Sequence, residues 1–252
     1  MTPPAEWMAG GVTMMLRFVR TILILPFLTA QSSCAEPFVP SGKFVGQLKL
    51  KKDAECTFPG PWQVQERFGY IDESGTGWLT VKGDCTDGAS IPQWAQPFVG
   101  GPMTLRYLPA AVLHDHYSKS VRPVYGWLQT QRMFHDVLLD SHVEPELAAI
   151  LYAAVLIGSK KWIVRLQGTP CDIGEVCVRR YGMVAVYESE PEIYDTRAFK
   201  TQFDKAIAQI KADGATGEPA VEAIVREITG STIYLDTLSG VIAPDFVPIA
   251  TE

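Results

Sequence analysis

Apolar positions change period part-way along the chain, and the change divides it. In residues 44–50 they roughly alternate, with Phe44, Leu48 and Leu50 on one face. Residues 62–71 and 77–81 give two more short runs of the same kind. Turn formers separate these runs: Pro59, Gly60 and Pro61 in one place, the Asp-Glu-Ser-Gly-Thr-Gly stretch 72–77 in another. Residues 36–85 therefore predict a small antiparallel sheet with hairpins. Residues 86–104 are irregular and rich in Gly and Pro. From Leu108 the period becomes helical. Residues 108–118 start with Pro109, which suits a first helical turn. Residues 124–141 carry Leu128, Phe134 and Leu138 on one face. A third helix opens at Glu144 and reads on to about Leu166. It is apolar on most sides through residues 148–157, which marks a central core helix. Beyond Cys177 the pattern predicts a strand over 180–187, an amphipathic helix over 196–212, another helix over 219–228 and a strand over 231–238. The fold class is α+β: a small antiparallel sheet, a three-helix core, and an α/β C-terminal extension. The domain reading is 36–180 for the α+β domain and 181–252 for the extension, as a separate appendix or an elaboration of the first domain.

The N-terminal segment changes the picture of where the chain works. Arg17 and Arg20 precede an apolar run over 21–30, and Ser33, Cys34 and Ala35 offer a small-residue cleavage site. Residues 1–35 thus read as a secretory signal peptide, and the protein as periplasmic or secreted. A lipoprotein anchored at Cys34 is the alternative, although Gln31 stands where such a signal prefers Leu. The ten-residue apolar run is short of the ~20 residues that span a bilayer, and the best later candidate, Leu147–Ile157, is followed almost at once by Lys160 and Lys161, so no transmembrane span is expected once the signal is removed. Cys56, Cys85, Cys171 and Cys177 remain. In an exported chain they suggest disulfides, most naturally 56–85 and 171–177, though sequence allows three connectivities.

Composition narrows the function classes. The chain has 252 residues, 47% hydrophobic and 20% charged, which excludes a disordered chain. A net charge of −6 argues against nucleic acid as a partner, because phosphate contacts need clustered Lys and Arg. There is no GxSxG elbow, P-loop, HExxH or GxGxxG. All four histidines fall between positions 114 and 142. His114 and Asp115 adjoin on one helix, His135 and Asp136 on the next, and a polar turn with Asp87 precedes both. A histidine held by a carboxylate is a competent general base for water, and a neighbouring Asp can bind a divalent cation. The plain structural alternative is that Asp87 caps its turn, His114 is a satisfied core histidine, His135 packs beside Leu128 and Leu138, and His116 and His142 face solvent.

The residues Trp78-Leu-Thr-Val-Lys-Gly83, Thr86-Asp-Gly-Ala-Ser-Ile-Pro92 and Ala110-Ala-Val-Leu-His-Asp115, in that order, resemble the phage-associated domain of unknown function 1353 family. Residues 152–158 fit its last helix, so the likeness covers about residues 62–160. The resemblance implies a compact α+β domain with no settled activity. Its HD helix is in turn similar to that of secreted phospholipase A-two enzymes. That likeness implies His114 as base and Asp115 as a calcium ligand, with an Asp on the next helix to orient the His. Gln131 occupies the orienting place here, with His135 and Asp136 one turn on. The expectation is an exported hydrolase of an envelope component, lipid ester or peptidoglycan. It would use His114, Asp115 and Asp87 together with Gln131, His135 and Asp136, and a divalent cation such as calcium at Asp115 and Asp87. The alternative is a non-catalytic envelope binding or accessory module whose His-Asp-Asp cluster is a structural polar network.

Overall fold

The computed structural model describes residues 42–119, 123–167, 184–230 and 233–242. The expected signal peptide, Cys34 and the Cys171–Cys177 pair lie outside them. The described residues form one compact unit. It is an α+β protein, with small antiparallel sheets, then a helical core, then a mixed strand and helix region.

The first strands are shorter than their apolar runs. They are β1 (Lys43–Val45), β2 (Leu50–Lys52), β3 (Trp62–Val64), β4 (Phe68–Ile71), β5 (Gly77–Thr80) and β6 (Cys85–Thr86). They form two antiparallel sheets in the orders β1-β4-β5 and β2-β3-β6, so each of the two longer predicted runs breaks and serves both sheets. Gly46 makes the first break. Its φ of 80° suits glycine, and a Cβ there would lie 2.7 Å from the Arg67 carbonyl oxygen. The expected pair Cys56–Cys85 is a disulfide and ties the loop after β2 to β6.

The irregular stretch holds one short turn, α1 (Gln96–Val99), and leads into the core helices α2 (Leu108–Ser118), α3 (Trp127–Asp140) and α4 (Pro145–Gly158). Apart from Ala154, α4 is buried from Ala148 to its end, as its all-round apolar pattern demands. It stops at Gly158, well short of Leu166. A side chain at Gly158 would collide with the rings of Tyr194 and Phe199. Residues 161–167 then carry Trp, Ile and Val, which suit an extended chain. They form β7 (Lys161–Gln167), antiparallel to β8 (Val184–Glu190). Next come α5 (Arg197–Asp213), α6 (Glu218–Thr229), α7 (Ile233–Asp236) and β9 (Val241–Ile242), which pairs parallel to β7. The strand predicted over 231–238 is instead the single turn α7. Arg226 donates to the Leu235 carbonyl at 3.1 Å, and Tyr234 meets the Trp127 ring edge-on at 5.9 Å; both hold the turn on the core.

Helix α5 has a capped start and a glycine stop. Thr196 Oγ1 accepts from the Phe199 N–H at 3.1 Å, and Gly214 ends the helix at φ 63°. Its buried stripe of Phe199, Phe203, Ala206 and Ile210 joins the core that α2, α3 and α4 build. Tyr70 of β4 donates to Asp140 Oδ2 of α3 at 2.6 Å, which fixes the first sheet against the helices. Among the described residues no helix is long and apolar enough to cross a membrane.

Candidate functional site

His114 and Ser118 stand four residues apart on α2 and so share a face. That face meets Gln131 of α3. His114 Nε2 lies 2.8 Å from Gln131 Oε1, and Nδ1 lies 3.4 Å from Ser118 Oγ. The ring is 8% exposed, and Phe134 packs on it at 5.3 Å. Burial pushes its pKa down to about 4, against the raising effect of the Gln131 hydrogen bond. The imidazole is therefore neutral at physiological pH, with one N–H and one lone pair. With the amide oxygen of Gln131 against Nε2, that nitrogen donates, and the lone pair of Nδ1 faces the Ser118 hydroxyl.

Asp115 points instead toward the polar turn. Its Oδ2 accepts from the Thr86 hydroxyl at 2.6 Å, and Thr86 Oγ1 accepts from the Gly88 N–H at 3.0 Å. Gly88 sits at φ 84°, where a side chain would collide with the Pro102 carbonyl. The Asp87 carboxylate accepts from the Ser90 hydroxyl at 3.1 and 3.0 Å. Burial, then the charge of Asp87, pushes the Asp115 carboxyl up to about 8. Asp87 is itself raised by burial, against the Ser90 hydrogen bond. Lys119 at the end of α2 donates to Glu192 at 2.9 Å.

Two histidines lie apart from this arrangement. His116 does not face solvent as expected: it is half-buried, with Nδ1 2.7 Å from Asp84 Oδ2. His142 is exposed and left-handed at φ 59°.

His114, Asp115, Ser118 and Lys119 form one wall of a cleft. The turn 88–92, α1, Phe134 of α3, α4, α5 and the segment around Glu192 and Tyr194 supply the rest, with Ile91, Leu151, Val155, Phe199 and Phe203 among the lining. About 690 Å³ of space lies between these walls, part of it open to solvent. The cleft is apolar over most of its surface, with its polar groups gathered on α2 and near Glu192.

One turn further along α3, His135 and Asp136 meet Glu218, the first residue of α6. Their ligand-type atoms lie within 4.8 Å of one another, a cluster capable of coordinating a metal ion. His135 is 2% exposed, and its ring packs on Tyr152 at 4.9 Å. Neither ring nitrogen makes a well-formed hydrogen bond, nor does Glu218 Oε1, which lies 3.9 Å from Nδ1. Burial pushes His135 down to about 4, against the smaller raising effects of a weak hydrogen bond to the Thr216 backbone and of the Glu222 charge. Burial, then the neighbouring Asp72, pushes Asp136 up to about 7; burial, then Asp136, pushes Glu218 up to about 8. Arg132 grips Glu222 through two hydrogen bonds of 2.8 and 2.9 Å and lies 3.5 Å from Glu218. Tyr152 donates to Glu222 at 2.7 Å.

Most of this geometry comes from one stretch of chain. The family model described as "Protein of unknown function (DUF1353)" matches residues 62–155, from β3 through most of α4. The chain belongs to this family. It is 35% identical over 222 residues to the uncharacterized protein y4iH of Sinorhizobium fredii (strain NBRC 101917 / NGR234), covering 85% of this chain and 84% of that protein. It is also 30% identical over 157 residues to the uncharacterized protein y4jT of the same strain, covering 60% of this chain and 43% of that one. No solved structure matches the chain significantly.

The segment matched to the DUF1353 family contains Asp87, His114, Asp115, Ser118, Gln131, His135 and Asp136. Phe199, Phe203 and Glu218, which complete the cleft and the metal-capable cluster, come from beyond it. The structure joins Gln131 to His114, and Asp115 to the Asp87 turn. His135 and Asp136 belong to the second cluster. Sequence reasoning missed Ser118 as a partner of His114, although the four-residue spacing signals it. It missed Glu218 too, and nothing in the local sequence of α6 points toward α3.

Proposed function

We propose that this protein is an exported hydrolase of an ester-linked envelope lipid, with His114 as its general base. The observation that carries the reading is the state of the His114 ring. It is neutral, Gln131 engages Nε2, and the Nδ1 lone pair is turned toward a hydroxyl in the wall of an apolar cleft. A general base needs a lone pair within reach of the proton it removes, and geometry comes before pKa. Nδ1 takes the proton of the attacking hydroxyl, for which Ser118 is the nearest candidate. The new C–O bond forms at the ester carbonyl as the ester C–O bond breaks, and the alcohol leaves with the proton taken from the imidazolium. A water deprotonated by the same Nδ1 then attacks the acyl-Ser118 ester, releases the fatty acid and restores the hydroxyl. The apolar lining suits an acyl chain better than a glycan, which requires rows of hydrogen-bonding groups.

The donor set at Asp87 and Asp115 does not suit calcium. Calcium takes six to eight oxygens, whereas this place offers two carboxyls. One of them is engaged by Thr86 and held largely protonated by burial. No step is therefore assigned to a cation there.

A second reading rests on Gln131. A neutral amide does not stabilise an imidazolium as a carboxylate does. The same groups then serve as a structural polar network in a lipid-binding accessory protein.

The test is to incubate the protein with phospholipid vesicles and with a bacterial envelope extract, and to read released fatty acids and muropeptides by mass spectrometry. Fatty acid released by the wild type and not by His114→Gln supports the hydrolase. Equal release by both, or none from either, sinks it. Lipid retained by the protein without turnover favours the accessory reading.

A further inference from the structure

We propose that His135, Asp136 and Glu218 form a binding site for one divalent first-row transition ion of the zinc class, separate from the His114 cleft. A carboxylate cluster alone would not carry this. The independent observation is the histidine. Its ring is 2% exposed, and neither nitrogen makes a well-formed hydrogen bond, the Thr216 backbone offering only a weak one, while Nδ1 faces a Glu218 oxygen that lacks a partner. Buried polar groups in folded proteins almost always have partners, and an unpaired one calls for an explanation such as an ion. Here two poorly paired groups of ligating type face each other.

The surrounding charge agrees. Arg132 is the one cation within ion-pair distance of Glu218 and Glu222 among the described residues, and Asp136 adds a third carboxyl beside them. Fully ionised, this group carries an excess of two negative charges, which a divalent cation balances. Arg132 is committed in a fork to Glu222 and also lies 3.5 Å from Glu218, so its single charge is shared among three carboxyls.

The donor set selects the ion class. One imidazole nitrogen with two carboxylates is a mixed N/O set of the kind zinc takes with three protein ligands and an open fourth position. Calcium and magnesium prefer all-oxygen shells. Ligands on one tetrahedral ion, each about 2.1 Å from it, stand roughly 3.5 Å apart. The present spread of up to 4.8 Å therefore closes by small rotamer shifts of three side chains.

The test uses the full exported chain after chelator treatment and dialysis, with cobalt(II) as the probe. The expected result is a d–d absorption that saturates at one equivalent. Zinc should displace it; a tenfold excess of calcium should not. Glu218→Gln, which keeps size and shape, should weaken cobalt binding at least tenfold. His135→Gln should weaken it as much, with folding checked by circular dichroism. The wild-type titration needs no variant: no saturable band overturns the proposal. A band that survives unchanged in both folded variants overturns it equally, because the ion then sits elsewhere. Lipid hydrolysis is not part of the readout, so failure here and failure of the His114 reading are distinguishable.

Discussion

Two histidines lie one helical turn apart along the inner side of α3, one reaching it from α2 and one growing from it. His114 is buried with both nitrogens near partners, Gln131 and Ser118. His135 is buried with no well-formed hydrogen bond at either nitrogen. Burial drives both to about the same low pKa of 4. A low pKa alone thus does not tell a poised base from an unengaged ligand; the hydrogen-bond inventory does. His114 faces a cleft and holds one lone pair where a proton can be taken. His135 faces carboxyls, and its poorly paired nitrogens are what a metal ligand offers.

The sharpest way to break the comparison is activity. His114→Gln is expected to lower lipid-ester hydrolysis by about 10²–10⁴-fold, the usual worth of a general base, measured as kcat on phospholipid vesicles. A loss smaller than tenfold would place the base elsewhere.

Stability should separate the two rings by sign. Replacing His114 with Phe strands Gln131 and leaves Ser118 without its neighbour, a cost of about 2–4 kcal/mol. Replacing His135 with Phe, measured in chelator, removes two poorly paired nitrogens while keeping the stack on Tyr152. That change is expected to be neutral or to stabilise by about 1–2 kcal/mol. Urea unfolding of both variants against the wild type checks this. A loss above about 2 kcal/mol at His135 would mean its nitrogens are satisfied after all.

The comparison shows what a sequence displays and what it hides. Period and capping made α2, α3, α5 and α6 legible to within a few residues, because amphipathic spacing and residues such as Pro109 and Thr196 act locally. The broken strands were not legible. Gly46 divides one run because the Arg67 backbone approaches it, and that approach is tertiary. The end of α4 at Gly158 was hidden for the same reason, since Tyr194 and Phe199 arrive from far along the chain. The His114 site was half visible: the HD pair and Gln131 sit in a recognisable frame. The second cluster was visible only as His135 and Asp136, because Glu218 is brought to them by the packing of α6 on α4.

Asp115 sharpens the contrast through pH. Its folded pKa of about 8 stands above the ordinary carboxyl value near 3.9, so the folded state resists ionisation. The stability this group contributes is present below about pH 4 and is lost as pH rises toward 8. Asp115→Asn keeps the acceptor for Thr86 and removes the titration. Between pH 5 and 7.5 the wild type is expected to lose on the order of 3 kcal/mol relative to the variant. Parallel pH profiles from urea unfolding would show that Asp115 ionises freely.

The smallest expected effect tests the feature that sets His114 apart, its neutral partner. A carboxylate at position 131 would favour the charged imidazole that Gln131 leaves unsupported. Gln131→Glu, which keeps the size of the side chain, is therefore expected to raise the His114 pKa from about 4 to roughly 5–6, and to move the acid limb of kcat/KM upward with it. Stability must follow. A histidine held below its unfolded value of about 6.5 contributes stability above that pH and loses it as pH falls toward the folded pKa. Raising the folded pKa shortens that window. Between pH 6.5 and 4 the variant should therefore lose less stability than the wild type, by about 1 kcal/mol if its His114 titrates one pH unit higher. The two readouts come from one proton on one ring and must agree. If the rate profile moves while the unfolding profile does not, the base of the reaction is a group other than His114.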